Sequence, residues 1–169
     1  RASSTSRGLG DVYKRQKWRC DQRKVTSYMS ERRFEVQRAI AAPPSKIFAV
    51  LSDPRGHVEI DASGMLMSAT EPPVTAVGDR FDIEMDRDSL RDFDLGEYRV
   101  TVVIETFVQD QEIAWSIDGV TQPPIGHIYG YRLQGTDGGT LVSAYYDWAN
   151  THPAHDELCL LYTFRAHET

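Results

Sequence analysis

A chain of 169 residues, 40% of them hydrophobic and 26% charged, is long enough to bury one hydrophobic core but short for two. The formal net charge of −6 is unevenly distributed, since residues 29–158 carry ten Lys or Arg against twenty-two Asp or Glu. A surface this acidic repels phosphate backbones, which disfavours nucleic-acid binding.

Membrane and secretion signals are also missing from the pattern. The longest apolar runs, such as residues 100–104, are far shorter than the roughly 18 residues that a membrane-spanning helix needs. No segment near the start combines a basic stretch, an apolar stretch and a small-residue cleavage site, so the predicted location is the cytoplasm. Cys20 and Cys159 lack CxxC spacing and nearby histidine pairs, which argues against a disulfide framework and a zinc site.

Both ends of the sequence resemble translated sequencing adapters. Residues 11–16 (DVYKRQ) are encoded by the mosaic-end sequence of transposase-based adapters, and residues 159–163 (CLLYT) by its reverse complement. We therefore predict that residues 1–28 are a non-native upstream and adapter-derived tail, that 29–158 are the domain, and that 159–169 are a second adapter-derived tail. On this interpretation the sequence is a metagenomic fragment whose domain starts at Met29 and is truncated after Leu158.

A strand, two short helices and a second strand are predicted between residues 33 and 69. Residues 33–41 alternate apolar and charged side chains, as half-buried strands do. Ser45 follows a proline pair and is predicted to cap a first helix, which ends at Asp53-Pro54. Residues 55–61 predict a second short helix, and residues 65–69 predict the second strand.

From Gly78 onward the pattern predicts an antiparallel meander. Tight hairpins are expected at Asp110-Gln111 and at residues 136–139, because these segments supply turn residues and glycines. The predicted strands are Arg80 to Met85, Glu97 to Phe107, Glu112 to Ile117, His127 to Leu133 and Thr140 to Trp148.

One face of this meander is strongly apolar, because side chains two apart on a strand share a face. The opposite face carries Arg99, Thr101 and Glu105. After Trp148 only residues 149–158 remain to cover the apolar face. The apolar face holds Tyr98, Val100, Val102, Ile104, Ile113, Trp115, Ile117, Tyr129, Tyr131, Leu133, Val142, Ala144, Tyr146 and Trp148.

Several motifs in this order resemble the START-like (SRPBCC) superfamily, and within it actinobacterial members of the polyketide cyclase/dehydrase type. The resemblance covers residues 33–148. The motifs are APPSKIFAVLSDP at 42–54, HVEIDASG at 57–64, VGDRF at 77–81, IAW at 113–115, GT at 139–140 and YDW at 146–148.

The resemblance implies an α+β, helix-grip fold: a curved antiparallel sheet, with two short helices after its first strand, wrapped around a long C-terminal helix that encloses a cavity. By resemblance that helix should begin shortly after Pro153, so most of it would be removed by truncation. Loss of a covering helix would expose apolar surface and lower stability by several kcal/mol, at about 25 cal/mol per Å².

Aromatic residues on the inner face are the candidate ligand-binding residues, because rings offer large apolar contact and polar edges. The alternative is that they only form the core. The candidates are Tyr98, Trp115, Tyr129, Tyr131, Tyr146 and Trp148.

Acid–base and metal chemistry are weaker hypotheses. His57 and Asp61 are four residues apart, so on a helix they would share a face and could act as an acid–base pair, although a capping or surface pair explains them equally well. His152 and His155 flank a proline and lack a third ligand, so no metal site is predicted. No cofactor-binding motif is present.

We expect a protein that binds a hydrophobic small molecule, such as a lipid, polyketide or isoprenoid, in an apolar cavity. Two alternatives remain open. One is an enzyme of the polyketide cyclase or dehydratase type that uses polar cavity residues for acid–base chemistry, and the other is a co-chaperone-like protein that binds a partner. The sequence leaves enzymatic activity and the oligomeric state undecided.

Overall fold

The computed structural model describes residues 26–30, 32–88, 96–119 and 121–155, which form one antiparallel sheet and two short helices. The α-helices are α1 (Pro44–Leu51) and α2 (Pro54–Ile60). The strands are β1 (Thr26–Ser30), β2 (Arg33–Ile40), β3 (Leu66–Ser68), β4 (Arg80–Asp86), β5 (Glu97–Val108), β6 (Glu112–Asp118), β7 (Ile128–Thr136) and β8 (Gly139–Asp147).

The eight strands are ordered β1-β2-β8-β7-β6-β5-β4-β3. Every neighbouring pair is antiparallel, and β2 closes the meander by pairing with β8 from Arg33 opposite Asp147 to Ile40 opposite Thr140. The two helices occupy the connection between β2 and β3. The predicted curved sheet with two short helices is confirmed, and the helices follow β2, the strand that the sequence predicted as the first.

The sequence pattern missed β1. This strand pairs with β2 from Thr26 opposite Gln37 to Ser30 opposite Arg33. Its pairing depends on backbone hydrogen bonds, which a short polar segment makes without any apolar alternation. Strand β1 crosses the predicted domain boundary between residues 28 and 29, and that boundary stays a prediction.

Both predicted hairpins are present. Asp110 has a φ of 59° at the turn between β5 and β6. Gly139 opens β8 with a φ of 139°, and a Cβ there would lie 2.2 Å from the Ile40 carbonyl oxygen. These turns fix the register of the strands that carry the inner-face residues.

Prolines begin both helices. Pro44 occupies the first turn of α1, where its missing N–H removes no helical hydrogen bond. The prediction that Ser45 caps α1 is wrong, because Pro43 is the capping residue and no side chain caps this helix. In α2 the Asp53 carboxylate accepts a hydrogen bond from the Arg55 amide at 3.0 Å.

Gly56 allows the two helices to pack backbone against backbone. A Cβ at this position would lie 2.0 Å from the Val50 carbonyl oxygen. Gly56→Ala is therefore expected to lower the free energy of unfolding by about 1–3 kcal/mol, because the helices must separate. Urea unfolding followed by far-ultraviolet circular dichroism measures the change.

Gly138→Ala is the matched control for Gly56→Ala. A Cβ at Gly138 would have no atom within 4 Å, so its stability should stay within about 0.5 kcal/mol of the parent protein. Equal stability of the two variants would contradict the close packing of α1 on α2.

The main core lies between the helices and the inner face of the sheet. Phe48 and Leu51 of α1 pack there, and α1 contacts β6 and β7. The predicted inner-face residues are buried or half-buried, whereas Arg99 and Glu105 on the opposite face are exposed. The buried members of the main cluster are Phe48, Leu51, Val74, Phe81, Ile83, Met85, Val100, Val102, Ile104, Ile113, Trp115, Leu133 and Val142.

A second, smaller cluster lies where β2 begins and β8 ends. It contains Phe34, Tyr146 and Trp148, with Ile125 and Tyr129 packed against it. Tyr129 also packs against the main cluster, so it joins the two.

The chain after β8 turns back onto the loop that precedes β7. Pro153–His155 form a single 3₁₀ turn, and the His152 amide donates to the Ile125 carbonyl at 3.0 Å. The long C-terminal helix implied by the resemblance would begin shortly after Pro153, and the residues after 155 lie outside the described ranges. Neither helix in the described ranges has the length and apolar character needed to cross a membrane.

Candidate functional site

The strand pairing brings most of the predicted aromatic residues together on the inner face. Trp115 of β6 lies opposite Tyr129 of β7, and Tyr129 lies opposite Tyr146 of β8. Directly opposed residues of adjacent strands share a face, so these three rings lie side by side. Tyr131 is on the same face of β7, Trp148 follows β8, and Tyr98 packs against the main cluster from β5.

Ring contacts connect the aromatic residues in two sets. Trp115 stacks on Tyr131 with 5.9 Å between ring centroids and 27° between planes. Tyr129 contacts Tyr146 at 4.8 Å, and Tyr146 contacts Trp148 at 5.3 Å. We call Tyr129, Tyr146 and Trp148, together with His127, the end cluster.

The inner-face tyrosines differ in exposure. Tyr146 is buried at 9% exposure, whereas Tyr98, Tyr129 and Tyr131 are only half-buried. Burial raises the pKa of the Tyr131 hydroxyl above its usual value, so this group stays protonated and can donate a hydrogen bond. The half-buried rings offer apolar surface with polar edges.

His57 is buried in the core, and its described contacts are with residues other than Asp61. Its Nε2–H donates to the Leu51 carbonyl at 2.8 Å, and its ring contacts Trp115 at 4.5 Å and Phe81 at 5.1 Å. Burial lowers the pKa of His57, although the hydrogen bond to Leu51 and the charge of Asp53 oppose that effect. The described contacts of His57 are those of a structural residue that joins α2 to the sheet.

The Asp61 carboxylate accepts hydrogen bonds from the loop that follows α2. Helix α2 ends at Ile60, and the Asp61 carboxylate accepts from the Ser63 amide at 3.0 Å, the Ser63 hydroxyl at 2.7 Å and the Leu66 amide at 3.1 Å. Burial raises the pKa of Asp61, but these hydrogen bonds outweigh burial and lower it. The predicted acid–base pairing of His57 with Asp61 is not what the described contacts show.

His127 is the polar residue of the end cluster, and the sequence reasoning did not single it out. It is 4% exposed, its Nδ1 lies 3.2 Å from the Tyr146 hydroxyl, and its ring contacts Tyr129 at 5.1 Å. Burial lowers its pKa to about 4, so the imidazole is neutral at pH 7. Strand alternation could have placed His127 on the inner face, because residues 127, 129, 131 and 133 are two apart and share one side of the strand.

The Nε2 atom of His127 is buried and has no hydrogen-bond partner within the described ranges. Buried polar atoms are paired in the great majority of cases, so each exception calls for an explanation.

The outer face of the sheet carries a separate polar network around Tyr145. The Tyr145 hydroxyl donates to Glu112 at 2.9 Å, and the Arg33 guanidinium lies 4.0 Å from the centre of its ring. Burial, followed by the effect of Glu112, raises the pKa of Tyr145 to about 12. Gly130 makes this possible, since a Cβ there would lie 2.3 Å from the Tyr145 ring.

A polar pocket of about 390 Å³ lies on this outer face, between Glu35, Arg132 and Glu112. Another of about 460 Å³ lies beside residues 41–44 and the hairpin at 135–139. Both are separate from the aromatic inner face, where the cavity stays a prediction.

His152 and His155 are held by the loop before β7. His155 donates from Nε2 to the Pro123 carbonyl at 2.9 Å, and the rings of His152 and His155 are 6.0 Å apart. Among the residues that the structure describes, no group of three His, Cys, Asp or Glu is arranged to hold a metal ion.

Known proteins resemble this chain in fold more than in sequence. No family model matches it. Over 96 residues it is 28% identical to Rv0088, an uncharacterized protein of Mycobacterium tuberculosis, in a match that covers 56% of this chain and 38% of that relative. The chain thus matches well under half the length of this curated relative.

Two solved structures show the likeness of fold. Protein CV1439 from Chromobacterium violaceum superposes with a TM-score of 0.55 at 14% identity, covering 80% of this chain and 94% of that one. An AHSA1-like protein from Aeromonas hydrophila gives a TM-score of 0.50 at 14% identity, covering 75% and 82%. These likenesses show the fold alone: an α+β fold with a curved antiparallel sheet and two short helices.

Proposed function

We propose that this START-like chain binds a hydrophobic small molecule, such as a lipid, polyketide or isoprenoid, against the aromatic inner face of its sheet. The main support for the proposal is the incomplete burial of Tyr98, Tyr129 and Tyr131 on the face that also forms the core. These partly covered rings leave apolar area on the inner face that a ligand can contact. Partly covered rings that point inward are suited to a ligand that completes their burial.

The affinity would come from apolar contact and the orientation from polar edges. Each aromatic ring can bury a large area, at about 25 cal/mol per Å² removed from water. The hydroxyls of Tyr129 and Tyr131 lie at the edges of those rings and can position a polar atom of the ligand. The proposed location of the protein is the cytoplasm.

The described polar side chains do not favour a cyclase or dehydratase activity over ligand binding. That alternative needs a polar group placed for proton transfer, and the described hydrogen bonds of His57 and Asp61 are made to the protein's own backbone and to Ser63. We therefore propose binding and leave catalysis out of the proposal.

Tyr129→Ala is expected to weaken ligand binding about tenfold, because the variant removes one ring's contact area from the proposed site. N-phenyl-1-naphthylamine is a suitable probe, since it is uncharged and its emission rises in apolar surroundings. Its dissociation constant is measured by fluorescence titration of the parent chain and the variant.

Ile128→Ala is the matched control for Tyr129→Ala, because the two side chains are adjacent on β7 but point to opposite faces. The control should bind the probe as the parent chain does. Failure of the folded parent chain to bind the probe would contradict the proposed function, as would equal affinity of Tyr129→Ala and the parent.

A further inference from the structure

We propose that His127 is the polar anchor of the binding site and that its Nε2–H donates a hydrogen bond to a carbonyl oxygen of an otherwise apolar ligand. This inference rests on the proposed function and adds the chemical class of the ligand: an uncharged ketone, ester or lactone on a hydrophobic body.

The imidazole is enclosed by the end cluster. Its ring centroid lies 5.1 Å from that of Tyr129 and 5.6 Å from that of Tyr146, both nearly edge to face. Tyr146 in turn contacts Trp148. His127 is therefore held directly beside Tyr129, one of the rings that the ligand is proposed to contact.

One nitrogen of the imidazole is satisfied and the other is not. Nδ1 is 3.2 Å from the Tyr146 hydroxyl, whereas Nε2 is buried without a hydrogen-bond partner among the residues described. An unpaired buried polar atom destabilises a folded protein relative to an apolar group of the same shape. A ligand that supplies the missing partner would relieve this penalty, so the arrangement favours binding at the expense of the free protein's stability.

The partner of Nδ1 determines the role of Nε2. A phenol O–H is a better donor than a neutral imidazole N–H, and an imidazole nitrogen is a better acceptor than a phenol oxygen, so we assign Tyr146 as the donor to Nδ1. The proton of the neutral imidazole then resides on Nε2, which becomes a donor. Its complement on a ligand is an acceptor oxygen.

The neutral state of His127 indicates which kind of acceptor oxygen the ligand would carry. Burial keeps His127 neutral at pH 7, with a pKa of about 4. A neutral donor in an aromatic enclosure suits an uncharged carbonyl, because a carboxylate would have to give up its hydration without gaining a cationic partner.

Two probes of the same shape test this. 2-Acetylnaphthalene carries a carbonyl oxygen, and 2-isopropenylnaphthalene replaces that oxygen with a methylene group. The parent chain should bind the ketone roughly three- to tenfold more tightly than the hydrocarbon, as one added hydrogen bond allows. Titration calorimetry or displacement of N-phenyl-1-naphthylamine gives both constants.

His127→Phe keeps a planar ring and removes the donor. It should abolish the preference for the ketone, so that the variant binds both naphthalenes with equal affinity. A merely structural histidine would give the parent chain no preference for the ketone, and its replacement would leave the ratio of the two dissociation constants unchanged. Tyr145→Phe, on the opposite face of β8, is the control and should keep the preference.

The assignment of the proton is tested separately by nitrogen-15 NMR of histidine-labelled parent chain. A protonated Nε2 and an unprotonated Nδ1 on His127 support the inference, and the reverse tautomer overturns it. Equal binding of both naphthalenes by the parent chain also overturns it while leaving the proposed function intact. If neither naphthalene nor N-phenyl-1-naphthylamine binds, the proposed function fails and the inference fails with it.

Discussion

Trp115→Ala is expected to lower the free energy of unfolding by about 3–5 kcal/mol. The Trp115 side chain is 9% exposed and contacts three parts of the fold. It stacks on Tyr131 of β7, its ring lies 4.5 Å from that of His57 in α2, and its backbone pairs with Ile104 of β5. Truncation would therefore leave a large cavity at the point where the helices meet the sheet.

Guanidinium unfolding followed by far-ultraviolet circular dichroism measures this loss without relying on tryptophan fluorescence. Val108→Ala is the control on the same sheet, because Val108 is 44% exposed and its truncation should change stability by no more than about 0.5 kcal/mol. Trp115→Phe should be intermediate, since it keeps a ring against Tyr131 and His57.

The stability of Trp115→Ala also shows whether Trp115 packs in the core or lines an open cavity. A loss below about 1 kcal/mol would contradict tight packing around this ring and would place Trp115 in the wall of an open cavity. A loss in the expected range assigns Trp115 to the core and leaves the half-buried tyrosines as the ligand-facing part of the same sheet.

Lowering the pH from 6.5 to about 4 is expected to destabilise the protein by about 3 kcal/mol through His127 alone. In the unfolded chain this imidazole protonates near its ordinary pKa of 6.5, and burial lowers the folded-state pKa to about 4. Between these values the unfolded state binds more protons, so stability is complete above pH 6.5 and falls as the pH approaches 4. The pKa of His57 is lowered in the same direction and adds to the trend.

Urea unfolding at intervals between pH 4 and 7 measures the profile. This range avoids most of the titration of Asp53, Asp61 and Asp79, whose lowered pKa values make further losses appear at more acidic pH. His127→Phe should flatten the profile and leave only the part due to His57. Parallel profiles for the parent chain and His127→Phe would contradict the buried, neutral state of His127.

Much of the fold could be predicted because its strands alternate cleanly. Tyr129, Tyr131 and Leu133 share one face of β7, and the turn residues at 110 and 139 separate the strands where the backbone requires a positive φ. Period-two burial and turn geometry are local properties, so the sequence expresses them directly. Strand β1 was missed because its pairing leaves no such local pattern.

The contacts of His57 and Asp61 could not be predicted from their spacing in the sequence. Two residues four apart share a helix face only while the helix continues, and α2 ends at Ile60. The position of α2 on the sheet turns His57 toward Leu51 and Trp115. Neither the end point of the helix nor its docking follows from the residue types.

The set of side chains on the inner face could be read from the sequence alone, because strand alternation assigns each residue to one side of the sheet. The pairing of their polar atoms depends instead on contacts between residues that are far apart in the sequence. His127 and Tyr146 are nineteen positions apart and meet because β7 pairs with β8 in the register that sets Tyr129 opposite Tyr146. That register, together with the packing of the end cluster, buries one imidazole nitrogen beside a hydroxyl and leaves the other without a described partner.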